Sequence, residues 1–70
     1  MIDDLPNEVK RTILAQEFAG IKQQIYRLSV SAEVRKIAGY SAEENKGLLD
    51  ELERLVKMRD ALAAKIADLG

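Results

Sequence analysis

The sequence predicts an all-α protein: an antiparallel two-helix hairpin of coiled-coil type that completes a helical bundle by oligomerisation. Three observations carry this. Ser41-Ala42-Glu43-Glu44 is an S-x-x-E capping box, in which hydroxyl and carboxylate each satisfy a backbone N–H of the other residue. Behind it Leu48, Leu52, Leu55, Leu62, Ile66 and Leu69 recur at helical steps, with one position skipped at Arg59. Upstream, Leu14, Phe18, Ile21, Ile25, Leu28 and Ala32 form a second seam of the same period.

The first helix is expected over about residues 6–38. Pro6 has a fixed φ that suits a first helical turn, and Asp3, Asp4 and Glu8 put negative charge at the positive end of the helix dipole. Either Asp4 or Asn7 can serve as its N-cap. Before the clean seam the register differs, since Leu5, Val9 and Ile13 step by four. After it the register shifts again, to Val30, Val34 and Ile37. Ser29, Val30 and Ser31 are weak helix formers in a row and mark the point at which this helix would bend. Arg35 and Lys36 lie in its last turn, and Gly39 can take the left-handed conformation that closes a helix. Residues 39–40 are expected to make the turn, with Tyr40 covering it and its hydroxyl in water. The second helix is expected over about residues 42–69. A connection this short returns it antiparallel to the first, so residues 1–70 read as a single helical-hairpin domain.

With the turn centred near residue 40, facing positions total about 80. Ala32 then faces Leu48, Leu28 faces Leu52, Ile25 faces Leu55, Phe18 faces Leu62 and Leu14 faces Ile66. Each seam follows from its own spacing, so their agreement supports the hairpin. Ile21 faces Arg59. That arginine is expected to lay its methylenes on the seam and send its guanidinium out toward Glu17, or to set register and oligomer state as a single polar core residue. Two helices alone cannot cover a stripe this wide. Ile13, Leu49, Val56 and Met58 are expected to stay exposed, together with Ile2, Leu5 and Val9 in an N-terminal overhang beyond Arg11. These residues are the candidate surface for an oligomer or a protein partner.

Composition narrows the function. Seventy residues allow one domain with a marginal core, and with neither cysteine nor histidine there is no disulfide, thiolate zinc site or imidazole base to supplement it. Hydrophobic residues are 47% and charged residues 33%, too apolar for disorder and too charged for a membrane span. No N-terminal signal pattern is visible, and a soluble protein of the cytoplasm is expected. Neighbouring carboxylates such as Glu43-Glu44 and Asp50-Glu51 point apart on a helix and make no acid/base pair. No catalytic, cofactor or metal residue is therefore assigned, and neither an enzyme nor a small-molecule substrate is expected. The basic groups Lys10-Arg11, Arg35-Lys36 and Arg54/Lys57/Lys65 are interleaved with acids, and the formal net charge is -1, which argues against nucleic acid.

Two resemblances bear on the reading. Leu5-Pro6-Asn7-Glu8-Val9, followed by Ile13-Leu14, resembles the opening of F-box motifs over about a seventh of the chain. The long charged heptad helix that follows departs from the compact F-box. In overall shape the hairpin is similar to the Rop family of plasmid RNA-binding regulators, which form dimeric hairpin bundles; no shared motif accompanies the shape. The expected function is a non-enzymatic interaction or assembly module that pairs with itself, with another protein, or with both. The alternative is a Rop-like nucleic-acid-binding regulator.

Overall fold

The computed structural model describes residues 5–69. Within it two helices, α1 (Asn7–Ile37) and α2 (Lys46–Leu69), pack side by side into a rod of 51 × 19 × 15 Å. The architecture is the all-α helical hairpin.

Helix α1 starts without a side-chain cap. Pro6 is extended, at φ -60° and ψ 151°, and its carbonyl accepts the Lys10 N–H at 3.1 Å. Pro6 therefore occupies the capping position and Asn7, one of the two cap candidates, is instead the first helical residue; the other, Asp4, lies outside the described residues. The helix then runs unbroken through Ser29-Val30-Ser31. Leu28 and Ala32 are half-buried on either side of that segment, and burial of seam residues outweighs propensity differences of only about 0.5 kcal/mol per residue.

The end of α1 is a Schellman motif. Tyr40 N–H donates to the Arg35 carbonyl at 2.9 Å and Gly39 N–H to the Lys36 carbonyl at 3.1 Å. Gly39 supplies the left-handed residue at φ +92°. An added Cβ there would meet nothing within 4 Å, so the constraint is the backbone conformation and not space. Gly39→Ala should lower stability by about 1–2 kcal/mol, read as the shift of the urea midpoint at constant slope.

The capping box forms as expected. Ser41 N–H donates to Glu44 Oε1 at 2.9 Å, and Glu44 N–H donates to Ser41 Oγ at 3.1 Å. It closes a separate turn over residues 42–45, however, and α2 begins at Lys46 instead of near 42. The ladder changes step here. Asn45 N–H reaches back four residues to the Ser41 carbonyl, whereas Lys46 N–H reaches back three to Glu43. Asn45 turns inward at this step and is only 8% exposed, with Nδ2 3.4 Å from the Ala32 carbonyl. The connection is thus longer than Gly39-Tyr40, but the second helix still returns antiparallel.

The register can be checked at the open end. Arg11 Nη2 donates to the Leu69 carbonyl at 3.1 Å, the pairing expected where the second helix ends. Further along, one shallow groove brings Ile21 beside Met58 and Leu62, and another brings Leu28 beside Glu51 and Leu55. Both agree with the same offset. Ile21 and Leu55 are the buried apolar residues of the described chain; Leu14, Phe18, Ile25, Leu28, Leu48, Leu52, Leu62 and Ile66 are half-buried. Two cylinders share a single line of contact, so a seam between them can be shielded at its centre only.

Candidate interaction surface

The two helices differ in what they turn away from each other. On α2, Lys46, Asp50, Glu53, Lys57, Asp60 and Asp68 are exposed and project from the side opposite α1. Lys57 Nζ bridges to Glu53 Oε1 at 3.5 Å along this side. This is a solvated face, and it makes α2 amphipathic in the ordinary sense.

The outer side of α1 is less charged. Counting 100° per residue from Ile21, the side opposite α2 carries Val9, Thr12, Gln16, Ala19, Gln23, Val30, Val34 and Ile37. All are exposed, and the charges on the same side are Glu8, Arg27 and, at its edge, Glu33. Tyr26 stands at the edge of the same side. Its exposure of 71%, with 86% at Ile37 and 56% at Val34, makes these the most exposed large apolar side chains described. A helix whose outer side keeps this many apolar and neutral residues beside few charges offers a surface that can be covered.

The candidate residues fall in separate places. Leu5, Val9 and Ile13 are exposed along the N-terminal part of the chain, and residues 5–10 extend past the Arg11–Leu69 contact; Ile2 lies outside the described residues. Met58 is exposed beside the groove that holds Glu17, Ile21 and Lys65. Val56 is half-buried and, two residues before Met58, is turned from it by about 200°. Leu49, seven residues before Val56, shares its direction and is exposed. Leu49 and Val56 therefore flank one side of the hairpin while Met58 flanks the other. Tyr26, Val34 and Ile37 were absent from the candidate set, although the departure of Val30, Val34 and Ile37 from the main seam was the signal that pointed to them.

Arg59 does not reach Glu17. Its Nε donates to Asp60 Oδ1 at 3.1 Å, with Nη2 also 3.1 Å from that oxygen. Asp60 is the adjacent residue on the same helix, so this pairing needs no reach across the seam, and the arginine stem stays half-buried there. Arg54 grips Glu51 with two guanidinium nitrogens and touches Met58 Sδ at 3.4 Å. The hydrogen bond from Arg54 holds the Glu51 carboxyl below its ordinary range, and Glu51 in turn raises Arg54. The Ser41 N–H does the same to Glu44, lowering its pKa. Cations also lie on the two aromatic rings near the seam and turn: Lys22 Nζ is 5.2 Å from the Phe18 ring centre and Arg35 Cζ is 5.6 Å from that of Tyr40. The Arg35–Tyr40 contact takes the place of the apolar contact that usually accompanies a Schellman motif, and the Tyr40 ring stays exposed.

Among the described residues no three of His, Cys, Asp and Glu gather as metal ligands, and no helix is long and apolar enough to cross a membrane. No family model matches the chain, and no curated protein or solved structure matches it either.

Proposed function

We propose that this chain is a non-enzymatic protein–protein interaction or assembly module. It is a helical hairpin that oligomerises and offers an apolar helix face to a protein partner, in the manner of small phage structural or accessory proteins or of inhibitor and adaptor subunits, and it works in the cytoplasm. The observation that supports this is the run of exposed apolar and neutral residues on the outer side of α1, ending in Val34 and Ile37. A monomeric hairpin has no use for such a side, whereas the charged outer side of α2 suits a helix in water.

The test is the solution mass by light scattering over a hundred-fold concentration range, for the wild type and for Val9→Asp. The wild type is expected to form a dimer or larger species. Val9→Asp is expected to stay helical and to associate more weakly, because Val9 is exposed and lies beyond the contact between the helices. If Val9→Asp unfolds the chain, that side belongs to the hairpin's own fold and the module reading falls.

A further inference from the structure

We propose that Asn45 is a positioning residue: by tying the start of α2 to the Ala32 carbonyl of α1 it holds the turn at residues 41–45 apart from α2, and the hairpin is less stable for it. The proposal stands independently of the module reading.

Two starts for α2 lie in series. Ser41 and Glu44 form a complete capping box, and the Asn45 N–H reaches back four residues to the Ser41 carbonyl. Residues 41–45 therefore already make one α-type turn. Beyond it the ladder is α-helical again, with the Leu49 N–H on the Asn45 carbonyl at 3.0 Å. One tight step separates the two, where the Lys46 N–H bonds the Glu43 carbonyl at 3.2 Å. A helix capped at Ser41 would bond Lys46 to Ala42 instead and run through without a break.

Asn45 sits at that step. At 8% exposed it is as shielded as Ile21 in the middle of the seam. Its Nδ2 lies 3.4 Å from the Ala32 carbonyl, which ties the step to the other helix. That carbonyl belongs to the interior of α1, where the Lys36 N–H is its ladder partner, so it needs no second donor. The other end of the same amide, Oδ1, has no hydrogen-bond partner. A buried acceptor left unpartnered loses more than one long bond to a satisfied carbonyl contributes. Leucine has the same branching and would extend the Leu48–Leu52–Leu55 spacing backward without either burden. What the asparagine supplies is position. Apolar side chains slide over one another, whereas a hydrogen bond forms at one place, and single polar residues fix geometry in apolar seams in this way.

Gly47 is the other residue beside the step that disfavours a helix. Its φ is not positive, and an added Cβ would meet nothing within 4 Å, so alanine fits there and separates the two causes.

The test compares Asn45→Leu, Asn45→Ala and Gly47→Ala with the wild type at one protein concentration. In both Asn45 variants the Lys46 N–H should move its hydrogen bond from Glu43 to Ala42, read as the scalar coupling across that bond in NMR spectra. Asn45→Ala adds no bulk, so it carries this readout even where leucine crowds the site. Asn45→Leu should raise the urea midpoint by about 0.5 M or more. Gly47→Ala should leave the Lys46–Glu43 bond in place. A Lys46–Glu43 bond that persists in both Asn45 variants overturns the proposal. So does a step that closes in Gly47→Ala with Asn45 intact, since the glycine is then its cause. A urea midpoint below that of the wild type in both Asn45 variants overturns it as well, because Asn45 then serves stability and not position.

Discussion

Leu55→Ala should lose about 2–5 kcal/mol of stability, measured by urea unfolding at fixed protein concentration. Leu55 is 3% exposed, the most shielded side chain described, and it sits mid-seam where the surrounding helices cannot both collapse into the space left. A hairpin of this length has a total stability of only about 3–5 kcal/mol from its own core, so the variant should be largely unfolded in dilute solution. If association adds to stability, raising the protein concentration should rescue part of the helical signal, because mass action favours whatever binds only the folded form. A loss below about 1 kcal/mol would mean that the seam is not where this chain stores its stability.

Asn45→Asp should cost about 3 kcal/mol at neutral pH, although the two side chains are nearly identical in shape. Asn45 is buried, its Nδ2 faces the Ala32 carbonyl, and its Oδ1 has no hydrogen-bond partner. The substitution replaces the donor with an oxygen that repels that carbonyl and adds a charge to a site closed to water. The pH dependence follows from the sign of the shift. Burial raises the new carboxyl's pKa in the folded chain above its unfolded value of about 3.9. The loss is therefore absent below that unfolded value, grows as pH rises through it, and levels off above the folded value. A cost that does not change between pH 3 and pH 7 would show that the new group stays solvated and that Asn45 is not enclosed as described.

Most of the hairpin was legible because its determinants are local or periodic. The capping box, the glycine at the end of α1 and the two seams each depend on short spacings, and the Arg11–Leu69 contact follows once both seams are aligned. The start of α2 was less legible. An S-x-x-E box announces a first turn, but whether the ladder continues past it depends on Asn45, which is drawn in by a carbonyl on the other helix. Asn45 also continues the Leu48–Leu52–Leu55 spacing backward by one step, yet a polar residue at the edge of a seam reads as its end. Arg59 failed for a similar reason. Its position in the seam was plain, but the choice between Glu17 and Asp60 is one of distance, and the nearest carboxylate on its own helix wins. The outer side of α1 was legible only as a shift of register. A period shows that residues share a direction; whether a neighbour lies that way depends on where α2 is, and only the three-dimensional arrangement supplies that.

The shape of the rod has a practical consequence for how its size is read. At 51 Å long and 19 Å wide, a single copy has a radius of gyration of 16.0 Å. A compact protein reaches that radius at about 185 residues, well over twice this chain's length. On a sizing column one copy will therefore run ahead of a globular protein of its own mass, and an early peak reports elongation before it reports company. Scattered-light mass is free of this ambiguity because it weighs the particle whatever its outline. Comparing the two readings on one sample would also measure how much slenderness is lost on pairing, since two rods laid side by side grow thicker without growing much longer.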